Sequence, residues 1–129
     1  MSKITPVFTI NPAVQDRGGQ YVDVTVRAEA VLKSWKLSLM SFEWLLPDGS
    51  VRGLDELPLS EREKRLSVES RLAAGEALPR PVLGIGIMDN VEIGSGRDVF
   101  LTLAAQGHQS IPVHVSKSCL KEFRAFQIS

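Results

Sequence analysis

Five consecutive residues, Gly94-Ser95-Gly96-Arg97-Asp98, carry the densest chemical signal in this chain of 129 residues. They lead into Val99, Phe100, Leu103 and Ala104, an apolar repeat at helical spacing that Gly107 ends. The amides and positive dipole end of such a helix can hold a phosphate or a nucleotide's phosphates, with Gly94, Ser95 and Gly96 forming the cradle and Arg97 adding charge. A structural assignment fits the same residues: the glycines permit the turn, and Ser95 and Asp98 cap the helix as an S-x-x-D pair. Asp98 would repel a bound anion.

A second chemistry rests on Asp89, Glu92 and Asp98. Gathered at one sheet edge, three carboxylates can hold Mg²⁺ for phosphodiester cleavage, because hard cations prefer carboxylate oxygen. Against this stand turn stabilisation by Asp89, a solvent-facing Glu92 and capping by Asp98. His114, between Val113 and Val115, is either a general base or a partly buried imidazole with a hydrogen bond. Cys119 cannot form an internal disulfide, and the two histidines provide no Cys/His spacing for zinc. Trp35 and Trp44 read as core anchors rather than a base-stacking platform.

Elements must position these groups. Val22, Val24 and Val26 alternate with Tyr21, Asp23, Thr25 and Arg27, the period of a strand with one buried face. Val7 to Ile10 reads as a shorter strand, which a turn at Arg17-Gly18-Gly19 would fold into an N-terminal hairpin with it. Residues 28 to 46 give conflicting helix and strand signals. Pro47-Asp48-Gly49-Ser50 is turn chemistry. Ser60 to Glu63 matches a capping box that opens a helix to about Ala74, with Leu59, Leu66, Leu72 and Ala73 as its apolar stripe and Gly75 as its stop. Val82 to Ile87 is a strand, Met88-Asp89-Asn90 a tight turn and Val91 to Ile93 the return strand. Ile111, Val113 and Val115 form a last core strand. Ser116 or Ser118 then caps a helix that turns Leu120, Phe123 and Phe126 inward.

In these positions the chain resembles the ParB/sulfiredoxin-like superfamily. ParB amino-terminal domains show QPIxV, a short hairpin, YELIAGERRLRAA, a glycine and IPVxV. Pro81-Val82-Leu83, Val91-Glu92-Ile93, Gly96, Gly107 and Ile111-Pro112-Val113-His114-Val115 lie over that pattern without gaps, with coverage from roughly residue 60 to 115. The resemblance implies an α+β fold: one domain with a mixed sheet and a strand, turn, helix, strand core at 59–115, an N-terminal strand region at 1–58 and a C-terminal helix at 116–129. Departures bear on chemistry. Where CTP-binding members carry GERR, this chain has Gly96-Arg97-Asp98-Val99. Where sulfiredoxins place their nucleophilic cysteine it has Arg97, which excludes that sulfinate chemistry.

The overall plan is also similar to the plasmid fertility inhibition, or oncogenic suppression, factors, which block DNA export by conjugation-type secretion systems. That likeness implies a cytoplasmic protein of plasmid or mobile-element biology acting on DNA transfer or maintenance. DNA or a secretion component is the implied partner, and a homodimer the implied assembly. Mg²⁺ and a nucleotide are the implied cofactors, with metal-dependent DNase or NTPase activity as the enzymatic options. The rival expectation is a non-catalytic interaction module that keeps the fold without an active site. Composition adds constraints. Fifteen basic residues balance fifteen acidic ones, so no whole-chain field announces nucleic acid or an anionic membrane. No apolar run reaches the length of a membrane span, and the opening residues, interrupted by Pro6 and Pro12, lack a secretory h-region.

Overall fold

The alternating valines of residues 21–27 set the outer strand of the main sheet. In the computed structural model, which describes residues 5–15 and 19–128, β2 (Tyr21–Arg27) pairs antiparallel with β6 (Ser110–Ser116) along its whole length, Val24 opposite Val113. On its other side β6 runs parallel to β4 (Val82–Ile85), and β4 turns back into β5 (Val91–Ile93), giving the order β2-β6-β4-β5. Helix α3 (Arg97–Ala105) makes the crossover from β5 to β6. The strand, turn, helix, strand succession is therefore present in one mixed sheet of a small α+β domain. Asp89 takes a left-handed φ of 60° in the β4–β5 turn, where Gly86 and Asn90 share a backbone hydrogen bond.

The segment with conflicting signals contains α1 (Ala28–Trp35), a 3₁₀ turn at Ser41–Glu43 and a bridge between Leu45 and Val51. Both tryptophans are core residues, Trp35 at 0% and Trp44 at 1% exposure. After β6 the chain forms a 3₁₀ turn, in which the Ser116 hydroxyl accepts from the Ser118 amide, and then the short α4 (Leu120–Phe123). Phe123 is fully buried, its ring 5.9 Å from that of Phe126, while Leu120 and Phe126 pack partly buried against the core. No helix among the described residues is long and apolar enough to cross a membrane.

Three expectations are corrected. The N-terminal hairpin does not form: β1 (Val7–Thr9) pairs in parallel with β3 (Ala77–Pro79), and Arg17 and Gly18 of the expected turn lie outside the described residues. The arm is drawn there by Asn11, whose side-chain amide donates to the Arg80 carbonyl just beyond β3. The capping box is absent as well. Helix α2 (Leu59–Ala73) begins after Pro58, so Ser60 lies within its first turn and makes no cap. Finally, the buried stripe of α2 is Glu61, Val68 and Leu72, whereas Leu59 and Leu66 are exposed. Arg65 completes that face, giving Nε to Glu69 and a terminal nitrogen to the Arg52 carbonyl. Two of the four inward positions are thus charged and paired, which hides the stripe from an apolar count.

Gly96 fixes where α3 starts. Its φ is +82°, and a Cβ there would sit 2.9 Å from the Pro81 Cα. Gly75, the stop of α2, has φ +74° with nothing within 4 Å of the same position. The two glycines separate backbone strain from steric exclusion. Gly75→Ala should cost about 1 kcal/mol. Gly96→Ala should cost roughly 3 kcal/mol or more, because β4 must also move. Urea denaturation of both variants checks this, and equal losses would mean that the Pro81 contact carries no weight.

Candidate functional site

The 94–98 loop is built from both ends of the β4–β5 hairpin. The Gly94 amide donates to the Val82 carbonyl at 2.9 Å, and the Val82 amide donates to the Ser95 carbonyl at 2.8 Å. Gly94 and Ser95 are exposed, and Gly96, Arg97 and Asp98 are half-buried. Gly96 is the N-cap of α3, so the S-x-x-D cap is not made. The Ser95 hydroxyl instead exchanges hydrogen bonds with the Asn11 side chain, and Asp98 Oδ1 accepts from the Val99 amide at 2.9 Å. The amides of Gly96, Arg97 and Asp98 find no acceptor among the described residues.

Arg97 does not reach outward as a phosphate ligand would require. Its Nε donates to the Ile93 carbonyl at 3.1 Å, and its guanidinium lies 5.8 Å from the ring centroid of Trp35. A depression of about 260 Å³ lies before the loop, lined by Glu61, Lys64, Gly94, Gly96, Arg97 and Asp98. Its two cations face two carboxylates, so an arriving anion meets no net attraction.

Asp89, Glu92 and Asp98 occupy three different settings. Asp89 is exposed in the hairpin turn, and Asp98 lies in the first turn of α3. Glu92 is held from both sides, Oε1 by the Ser38 hydroxyl at 2.7 Å and Oε2 by the Asn90 amide at 3.0 Å, so it is not the solvent-facing side chain expected of it. Among the described residues no group of three or more His, Cys, Asp or Glu side chains is placed to hold a metal ion. His114 is 3% exposed, with Nδ1 2.7 Å from Asp23 Oδ1 and Nε2 accepting from the Asn11 amide. That arrangement matches a hydrogen-bonded structural imidazole rather than an available base.

Two participants escaped the sequence reading. Asn11 lies next to a proline in an arm that carried no chemical signal. Glu61 fell inside the expected capping-box segment without a role of its own. Its Oε1 accepts from the buried Trp44 indole N–H at 3.0 Å, and Oε2 pairs with Lys64 Nζ at 3.2 Å. Burial opposes the charge, yet the indole and the ammonium, with Arg97 nearby, outweigh it and hold the carboxyl below its ordinary value of 4.5. A depressed carboxyl contributes stability above that ordinary value and loses it as pH falls through the folded-state value. Glu61→Ala should therefore cost about 1 to 3 kcal/mol near neutral pH, part of it from the orphaned indole N–H. The difference from wild type should shrink as denaturation is repeated below pH 4.5, and a constant difference would show that the charge contributes nothing. No family model, curated protein or solved structure matches the chain.

Proposed function

We propose that this protein is a non-catalytic interaction module on a ParB/sulfiredoxin-like scaffold, of the fertility-inhibition type, which acts on DNA transfer by binding a component of the transfer apparatus. The observation that carries the binding part is the segment between α1 and the Leu45–Val51 bridge. There Leu37, Leu39 and Phe42 are 67%, 90% and 66% exposed, with Met40 beside them. Large apolar side chains concentrated within six positions mark a contact surface more often than a solvated loop. The segment is anchored, since Ser38 donates to Glu92 of β5 and the Ser41 hydroxyl donates to the Lys36 and Ser38 carbonyls. The motif loop supports the non-catalytic part, because its arginine is turned onto Trp35 and Ile93.

The scaffold assignment draws support from the order of elements, with β6 parallel to β4 and Gly96 against Pro81, as the ungapped motif spacing requires. A second reading, nucleotide or DNA phosphate binding at residues 94–98, is favoured by the three amides without acceptors at the start of α3.

Expression in plasmid-bearing donor cells should lower conjugation frequency at least about tenfold. Leu39→Asp and Phe42→Asp should relieve that inhibition while leaving the thermal midpoint within a few degrees. Full inhibition by both variants would sink the surface assignment. Nucleotides or DNA with Mg²⁺ should neither raise the melting temperature nor yield cleavage products. A rise that disappears in Lys64→Ala would move the function to the loop.

A further inference from the structure

The buried imidazole of His114 joins two parts of the molecule that the sheet leaves separate. Nδ1 faces Asp23 Oδ1 at 2.7 Å, with the histidine side chain 4% and the aspartate 59% exposed. Nε2 accepts the backbone amide of Asn11 at 3.1 Å. An ionised carboxylate only accepts, so Nδ1 bears the ring proton and Nε2 presents its lone pair to the arm. The Asn11 side chain extends the connection: Nδ2 donates to the Arg80 carbonyl at 2.8 Å and to Ser95 Oγ at 3.1 Å, and Oδ1 accepts from the Ala13 amide. Asn11 is itself 2% exposed. One residue of the arm thereby ties the imidazole, the entrance to β4 and the 94–98 loop together.

We propose that His114 and Asn11 form a proton-operated latch, which holds residues 10–15 against Ser95 while the imidazole is neutral and releases them when it is protonated. Protonation places a hydrogen on Nε2, directed at an amide that is also a donor. The Asn11 hydrogen bond is then lost, while the pair with Asp23 gains charge. A buried amide left without an acceptor destabilises its surroundings, so the arm shifts toward solvent.

Asp23 is the charged side chain hydrogen-bonded to the ring. From β4, Val82 lies opposite in the register, and the Pro81 carbonyl accepts the main-chain amide of His114. The arm contributes the backbone amide of Asn11, whose side chain in turn meets neutral Ser95 of the loop. The nearest cation along the chain on the β4 side is Arg80, whose carbonyl Asn11 binds. The latched arm accepts only the neutral ring, so the latch is closed while the ring is neutral and opens when it is protonated. Opening is local. Strand β1 stays paired with β3, and the Thr9 carbonyl keeps the Arg80 amide, so movement is confined to the turn around Val14, which is 8% exposed when latched.

Amide exchange followed by NMR on the full chain, between about pH 8 and about pH 5, tests the latch. Protection factors at Asn11, Ala13 and Val14 should fall at least about tenfold, with a midpoint matching the His114 ring titration, while Leu83 and Val113 keep theirs. In His114→Gln the side-chain oxygen can still accept from Asn11 but cannot titrate, so the pH dependence should vanish. Constant protection at Asn11 while His114 titrates would overturn the proposal. A ring that stays neutral to about pH 5 would also overturn it, and so would the same acid loosening in a folded His114→Gln. The wild-type titration decides the matter if that variant does not fold.

Discussion

The approach of Gly96 to the Pro81 backbone is the constraint on which the rest of the core depends. A residue with φ +82°, packed where a Cβ would meet Pro81 Cα at 2.9 Å, lets the chain leave β5 and enter α3 directly beside the start of β4. The hydrogen bonds from Gly94 to Val82 and from Val82 to Ser95 depend on that approach. From this origin α3 sends Val99, Phe100, Leu101 and Leu103 into the core, all at 2% exposure or less, and returns the chain as β6, parallel to β4. The placement of β6 between β2 and β4 follows.

Segments whose pattern is dictated by their own neighbours were legible in the sequence. The valines of β2, the Asp89 turn, the apolar repeat of α3 and its stop at Gly107 each specify a local structure. Other features depend on distant partners. The inward face of α2 contains Glu61 and Arg65, which are tolerable there only because Trp44, Lys64, Glu69 and the Arg52 carbonyl meet them. No periodicity in α2 reports residues 44 and 52. The arm pairs with β3 rather than β2 because Asn11 binds groups 69 to 103 positions away. For the candidate site, spacing located the loop but not the direction of its side chains. Arg97 could be numbered from the motif, and its rotation onto Trp35 depends on a helix sixty positions earlier in the chain whose type the sequence left open.

The loop is consequently a joint. Its glycines set geometry, its serine receives the arm, its arginine lies across a core tryptophan, and its aspartate serves the first turn of α3. Large apolar side chains are left exposed elsewhere, among them Leu37, Leu39 and Phe42 between α1 and the Leu45–Val51 bridge and Ile87 and Met88 in the β4–β5 turn. In the proposed function, recognition falls on the segment between α1 and the bridge and structural coupling on the loop. His114, linked through Asn11 to Ser95, connects the joint to the N-terminal arm.

The measurement that bears most directly on this account is a nuclear Overhauser experiment on the loop in solution. Close packing predicts a strong cross-peak between the α protons of Gly96 and Pro81, together with upfield-shifted Arg97 side-chain protons that show cross-peaks to the Trp35 indole. If the first cross-peak is missing and the Arg97 protons have the shifts of a solvated arginine, the loop is not the joint described, and its arginine is available to a ligand.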